Sequence, residues 1–430
     1  MAKSLRLGIA GLGTVGANVV RLVKERADAI EAATGCRVSV TAVSARDSSR
    51  DRGIDLAGVT WFDDPVALAR ASDVDCVVEL IGGSDGPALA VVDQALSLAR
   101  PVVTANKALL ARHGLALAEK AEAAGVALAF EASSAGGIPV VKTLREALPG
   151  NRISRISGIL NGTCNYILTQ MEMQRVPFSE ALAEAQRLGY AEADPTFDIG
   201  GFDTAHKLSI LASLAFGTRI DAEAIHVEGI SAIAPLDLAM AEEFGFRIKL
   251  LGVAARVGQG LEQRVHPTMV AKSQSIAQVM GVTNAVMIDA DAVRQLTLIG
   301  PGAGGAATAS AVLADIADVA RGTAGAPFGR PLAQLEAAQP APMQRHEGGY
   351  YVRLDVLDKR GAFAAIAGRM SENGISLESI VQKGKPKSTS VPVILFTHAT
   401  TEAAIRRALE GVMADRLVTM VPQVIRIERE

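Results

Sequence analysis

Between Gly189 and Lys207 the chain gathers three carboxylates, Glu192, Asp198 and Asp203, and a lysine, Lys207, among glycines and small residues. Carboxylates of this kind can hold a substrate ammonium, and a lysine can move a proton to or from an alcohol oxygen. If Asp203 opens a helix, Lys207 is its i+4 neighbour on the same face. An isolated Asp/Lys pair at that spacing is usually a weak helical ion pair. Here the pair follows Gly200-Gly201, which permits close approach of a ligand, and two further carboxylates stand just upstream. The chain also opens with a nucleotide motif, so the set points to hydride chemistry on a small amino acid.

That motif is Gly11-Leu12-Gly13-Thr14-Val15-Gly16, after a predicted strand and at the head of a predicted helix. Glycines there bring the backbone close to a pyrophosphate, which sits on the N-terminal N–H groups of the helix. The second predicted strand ends in Val43-Ser44-Ala45-Arg46, with Arg50 and Arg52 beyond. An NAD site usually places an acid at this point for the ribose 2′-hydroxyl. A serine and a guanidinium suit a 2′-phosphate instead, so NADP is favoured over NAD. Thr104-Ala105-Asn106-Lys107 follows directly on another short strand. Loops at that end of an open α/β sheet line its crevice, so Lys107 can reach cofactor or substrate.

These residues need elements to position them. Predicted strands at 5–10, 38–44, 76–81, 101–104 and 126–131 alternate with alanine-rich helical stretches such as 15–31 and 108–124. That alternation predicts an α/β fold, a Rossmann-type doubly wound parallel sheet. Beyond Gly150 the rhythm becomes α+β. Strands are predicted at 153–160, 249–257 and 286–289, and helices at 165–174, 179–188 and 203–216. A glycine-rich turn at 300–305 leads into a further helix ending near Arg321. Pro327, Pro331, Pro340 and Pro342 give 323–348 the composition of a linker. The tail, 349–430, reads βαββαβ, a small ferredoxin-like sandwich.

A chain of 430 residues exceeds one ordinary core, so several domains are expected. With 49% hydrophobic and 21% charged residues it is not a disordered chain. A net charge of -3 implies neither a nucleic-acid nor an anionic-membrane partner. Cys36, Cys76 and Cys164 are far apart and odd in number, which fits a reducing compartment without a disulfide framework. No window reaches a spanning length, and the first strand starts at once, so neither a membrane segment nor a cleaved signal is expected. The expected location is cytoplasmic.

Several motifs in order make the chain resemble homoserine dehydrogenase over nearly its whole length. They are the glycine motif at 11–16, Glu79-Leu80-Ile81-Gly82-Gly83, Thr104-Ala105-Asn106-Lys107, the run from Glu131 to Pro139, Asn161-Gly162-Thr163, and the segment from Gly189 to Lys207. The resemblance implies reversible NAD(P)H-dependent reduction of L-aspartate 4-semialdehyde to L-homoserine, in threonine, methionine and isoleucine biosynthesis. It implies that Lys207 passes the proton, that Asp203 and Glu192 bind the amino-acid substrate with Asp198 in support, and that Lys107 sits between cofactor and substrate. Gly11, Gly13, Thr14, Val15, Gly16 and Arg46 would serve the cofactor. Gly189, Gly302 and Gly304 would approach its nicotinamide side.

It further implies a monovalent cation, sodium, held by backbone carbonyls at Glu131, Ser134, Gly136 and Ile138. The tail resembles an ACT domain, a module that pairs edge to edge and binds amino acids, with threonine as the expected inhibitor. Arg360 stands where that module often has proline. A homodimer or homotetramer is expected, and no aspartate kinase module is seen, as in the monofunctional form. The implied domains are a Rossmann domain at 1–135 completed by helix 304–322, a substrate-binding, catalytic and dimerisation domain at 136–322, the linker at 323–348, and the ACT domain at 349–430.

Cys164 departs from the family, which commonly has threonine there. It raises a rival, an acylating dehydrogenase working through a thioester, which would need a histidine base nearby. His206 is the only candidate with a supporting position, and it faces elsewhere if Lys207 faces the site. A small packing cysteine is the expected reading. A cofactor-bound amino-acid sensor without turnover is a third reading, and the complete carboxylate–lysine set argues against it.

Overall fold

The computed structural model describes residues 3–383 and 390–428. The chain forms two compact units, and neither is one stretch of sequence. The first comprises Met1–Leu160, Asp203–Ala224 and Thr283–Ala338; the second comprises Asn161–Phe202, Ile225–Val282 and Gln339–Glu430.

The first unit is built on a six-stranded parallel sheet of the Rossmann type. Its strands are β1 (Lys3–Ala10), β2 (Cys36–Ser44), β3 (Thr60–Phe62), β4 (Cys76–Glu79), β5 (Val102–Thr104) and β6 (Leu128–Ala129). They lie in the order β3-β2-β1-β4-β5-β6. Helices cover both faces, so the central strands are apolar on both sides, as parallel sheets require. Every residue of β4 and β5 is buried. The last strand is shorter than the predicted 126–131, because the chain leaves the sheet after Ala129 to form the buried turn of helix Ala132–Ala135. Helix Gly305–Arg321 sets Ala309, Val312 and Ile316 into one core with Val19, Val20 and Val23. Three antiparallel strands, Ile153–Ile159, Thr283–Ala290 and Arg294–Pro301, complete this unit's sheets.

The second unit centres on a hairpin of two twelve-residue strands, Phe246–Val257 and Gly260–Ala271. The tail has the βαββαβ order. Its strand Gln423–Glu428 pairs with Glu347–Leu357, which pairs with Ser390–Thr397, which pairs with Leu377–Gln382. Its core is formed by Tyr350, Val352, Leu354, Ile366, Val393 and Ile405 among others. The tail is not an isolated sandwich, however. Strand Gln423–Glu428 also pairs in parallel with Gly260–Ala271, through Thr268↔Arg426 and its neighbours.

Buried charges accompany this join. Arg426 is 1% exposed and donates to both Glu228 and Glu402 at 2.8 Å. Arg264 pairs with Glu262 and with Glu428. Buried ions of this kind persist only where each one has partners.

The proline-containing stretch 323–348 is not free chain. Within the first unit, Arg219 donates its N–H to the Glu336 carbonyl at 2.8 Å. Within the second, Leu261 donates to Gln339 at 2.8 Å, and Ala341 donates back to Leu261 at 3.0 Å. Prolines signalled a break in regular structure, but the intervening N–H and C=O groups still found backbone partners. Among the described residues no helix is long and apolar enough to cross a membrane.

Candidate active site

The site in the first unit begins at the carboxyl ends of β1, β4 and β5, the crevice of a sheet with this strand order. Gly11 takes a φ of +105°, and a Cβ there would collide with the Leu80 carbonyl. A Cβ on Gly16 would collide with Gly11 itself. Gly13 instead faces open space and caps helix Thr14–Glu25, with no side chain to occupy the first N–H groups. Those N–H groups and the helix dipole suit an anion. A cleft of about 810 Å³ runs past Gly11, Gly13, Ser44, Arg46 and Arg50. This cradle fits a dinucleotide.

The arginines after β2 are not equivalent. Arg52 donates to the carbonyls of Leu12 at 3.1 Å, Arg50 at 2.7 Å and Asp47 at 2.6 Å, and its guanidinium lies over Trp61. It braces the loop against the glycine turn. Arg46 and Arg50 are exposed at the cleft.

Two loops meet beside the cleft. Glu79 is fully buried at the end of β4. It accepts from the N–H groups of Ile81 at 2.8 Å and Gly82 at 3.2 Å, and from the Thr104 hydroxyl at 2.6 Å. The Asn106 amide lies 3.4 Å from it, donates to Gly83 at 2.7 Å, and its oxygen caps helix Lys107–Ala124 through Leu109 N–H at 3.1 Å. Burial pushes the Glu79 carboxyl above its usual range, while these hydrogen bonds favour the charged form.

Lys107, the first residue of that helix, reaches Asp203 Oδ1 at 2.7 Å. Asp203 lies in the first turn of helix Phe202–Phe216, and its Oδ2 accepts from Lys207 at 2.7 Å one turn on. Lys207 also donates to the Leu160 carbonyl at 2.8 Å. Burial alone would raise the Asp203 carboxyl. The ammonium groups of Lys207 and Lys107 outweigh it and hold the carboxyl well below the usual range. A second cavity, of about 280 Å³, is lined by Ile81, Gly82, Asn106, Lys107, Lys207 and Gly302 among others. Val15, Leu80, Ile81 and Gly82 place it next to the phosphate turn, with Leu80, Ile81 and Gly82 lining both cavities.

The segment with the expected cation carbonyls, Glu131, Ser134, Gly136 and Ile138, is buried and borders the same cavity through Ser133 and Gly136. The Glu131 carboxylate accepts the N–H groups of Val141 and Lys142 at 2.9 and 2.7 Å. Gly136, at φ +56°, lies so close to Gly302 that a side chain would collide with that carbonyl. Gly304, at φ +110°, caps helix Gly305–Arg321. Thr14 opens its helix, and its carbonyl accepts from Asn18 at 2.8 Å.

The remaining predicted residues belong to the second unit. Glu192 is exposed, and Gly189 takes a φ of +74° in the same loop. Asp198 accepts from Asn161 Nδ2 at 2.8 Å. The Cys164 thiol is fully buried and donates to the Asp198 carbonyl at 3.2 Å, in the first turn of a helix capped by Asn161. A sulfur packed in this way is not presented for attack on a substrate.

The sequence paired Asp203 with Lys207 by spacing but did not pair Lys107 with Asp203, a contact made only by the fold. Nor did it assign a role to Glu79 or Asn106. The available signal was a carboxylate ending an otherwise apolar strand.

Two family models divide the chain between them. One described as "Homoserine dehydrogenase, NAD binding domain" matches residues 11–131, and one described as "Homoserine dehydrogenase" matches residues 139–317. A homoserine dehydrogenase of Pseudomonas aeruginosa is 43% identical over 438 residues, covering 99% of each chain. The crystal structure of a homoserine dehydrogenase from Thiobacillus denitrificans superposes with a TM-score of 0.94 at 40% identity, over 99% of each chain. A hyperthermophilic archaeal homoserine dehydrogenase mutant, solved in complex with NADPH, matches at 26% identity and a TM-score of 0.63, over 73% of this chain and 97% of that one.

Proposed function

Because the chain belongs to the homoserine dehydrogenase family, and with it to the NAD(P)-dependent oxidoreductases acting on a CH–OH group, we propose that it interconverts L-aspartate 4-semialdehyde and L-homoserine with Lys207 as proton donor and acceptor. The observation that supports this most directly is the Lys107–Asp203–Lys207 set beside the 280 Å³ cavity.

A bound nicotinamide dinucleotide supplies or takes up the hydride. The chain's own residues do the rest. The Gly11–Gly16 turn and the open start of helix Thr14–Glu25 hold the diphosphate. Arg46 and Arg50 suit a 2′-phosphate, which favours NADP over NAD. Asp203 and the Leu160 carbonyl fix the direction of the Lys207 side chain, whose ammonium protonates the substrate oxygen during reduction and whose neutral amine takes the proton back during oxidation. Lys107 shares the Asp203 carboxylate and holds it ionised. Glu192 is the carboxylate proposed for the substrate ammonium, with Asp198 in support. The carbonyls of Glu131, Ser134, Gly136 and Ile138 would hold a sodium ion that stiffens the buried turn next to Gly302.

The enzyme would act in threonine, methionine and isoleucine biosynthesis, in the cytoplasm, as a homodimer or homotetramer. The βαββαβ tail would serve as an ACT domain through which threonine inhibits; unchanged activity and no binding heat at millimolar threonine would remove that part.

The experiment is nicotinamide absorbance with NADPH and aspartate semialdehyde, alongside Lys207→Ala and Cys164→Ser. Oxidation of NADPH that collapses in the lysine variant and survives in the cysteine variant is the expected result. Activity that needs NADP and phosphate, and dies with Cys164→Ser, would mean the thioester reaction instead.

A further inference from the structure

Glu79 has no place in the proton-transfer set, yet it is the most deeply buried carboxylate beside it. Among the described residues it forms no ion pair. An unpaired carboxylate in a dry strand end is unfavourable unless hydrogen bonds replace its water. An apolar residue would fill the end of β4 at less cost, as Cys76, Val77 and Val78 do along the rest of the strand.

What the carboxylate gains is a junction. Oε1 accepts the successive N–H groups of Ile81 and Gly82, which bends the chain into the turn where Gly82 and Gly83 both take left-handed φ angles, +86° and +80°. Oε2 accepts the Thr104 hydroxyl, and that hydroxyl oxygen in turn accepts the Asn106 N–H at 3.0 Å. Asn106 then bonds Gly83 and caps the helix that starts with Lys107. One buried anion thus fixes two loops from neighbouring strands. Both border the cavity that Lys107 and Lys207 share, and Ile81 and Gly82 also border the dinucleotide cleft.

We propose that Glu79 is a positioning residue for the reaction: its carboxylate locks the Ile81–Gly82 turn and the Asn106–Lys107 loop in the one arrangement that admits the nicotinamide half of the cofactor and keeps Lys107 on Asp203. The inference rests on the reading that the 280 Å³ cavity receives the nicotinamide end of the cofactor.

The test compares the full chain with Glu79→Ala and Glu79→Gln. Each is titrated with NADPH and with adenosine 2′,5′-bisphosphate, which lacks the nicotinamide half, and each is then assayed for kcat and KM. Glutamine keeps an acceptor for the turn but sets an amide donor against the Thr104 hydroxyl, so it separates shape from hydrogen-bond polarity. It also carries the test if the alanine variant fails to fold. The expected result is NADPH binding weakened about tenfold and kcat lowered by roughly 10- to 100-fold, as for a small misplacement of reacting groups, with adenosine 2′,5′-bisphosphate bound within about twofold of the parent.

Unchanged NADPH binding and kcat in both variants would overturn the proposal. So would equal weakening of NADPH and the fragment, which would mean general loosening of the sheet. A parent protein that binds NADPH no better than the fragment would overturn the cavity reading beneath it, an outcome visible before any variant is made.

Discussion

Lys107 Nζ lies 2.7 Å from Asp203 Oδ1, joining the start of one helix to the start of another across the first unit. Asp203 is only 2% exposed, and its other oxygen holds Lys207. One buried carboxylate therefore governs two ammonium groups.

Replacing it with asparagine leaves the two ammonium groups facing a neutral amide. Asp203→Asn is expected to lower kcat by about 10²- to 10⁴-fold, the range for loss of a positioned proton-transfer group. Steady-state assays with dinucleotide titration check it: cofactor affinity should change little, since the phosphate turn is untouched.

Lys207→Arg retains the positive charge but removes a usable proton, because guanidinium does not deprotonate in proteins. We expect a fall in kcat of about 10²-fold or more with dinucleotide binding retained. A variant with more than a tenth of parental kcat would exclude Lys207 as the proton donor.

Cofactor choice should follow Arg46 more than Arg52. Arg46→Glu is expected to weaken NADPH about tenfold relative to NADH, the scale of one lost charge-assisted bond. Arg52→Ala should weaken both, since its three bonds brace the loop to Leu12, Arg50 and Asp47. Paired KM measurements separate the two cases.

Lys249 supplies a pH signature. It is 1% exposed, donates to Asn165 at 3.1 Å and to the Val279 carbonyl at 2.5 Å, and burial pushes its ammonium down to about 8. In the unfolded chain it titrates near 10.4. Between those values the unfolded state binds more protons, so this residue makes stability rise with pH, by up to about 1.4 kcal/mol per unit. Lys249→Met should remove that rise. Urea unfolding of both proteins at several pH values from 7.5 to 10 tests it, and identical slopes would refute it.

What the sequence revealed was local. The glycine turn, the Asp203–Lys207 spacing and the βαββαβ tail each follow from neighbours along the chain. Strand Gly260–Ala271 was missed because Glu262, Arg264, His266 and Pro267 break any apolar pattern, although all ten residues from Leu261 to Val270 are buried. Their burial depends on ion partners such as Glu428, far along the chain. The Lys107–Asp203 pair was hidden for the same reason. Asn106 stood within a motif, but only the fold shows it bonding Gly83 and capping the next helix.

The parallel pairing of Gln423–Glu428 with Gly260–Ala271 also sets an order of events during synthesis. The hairpin ending at Ala271 can form while the ribosome is still working, and His226–Val227 can pair with its edge at Arg264 and Val265, but Thr268–Val270 stay unpaired on that edge until residues 426–428 have emerged. Until then Arg264 lacks Glu428, and Glu228 lacks Arg426. The nascent second unit is thus an unfinished sheet whose buried charges are only partly paired, a state in which chaperone binding or premature pairing with another chain would compete with completion.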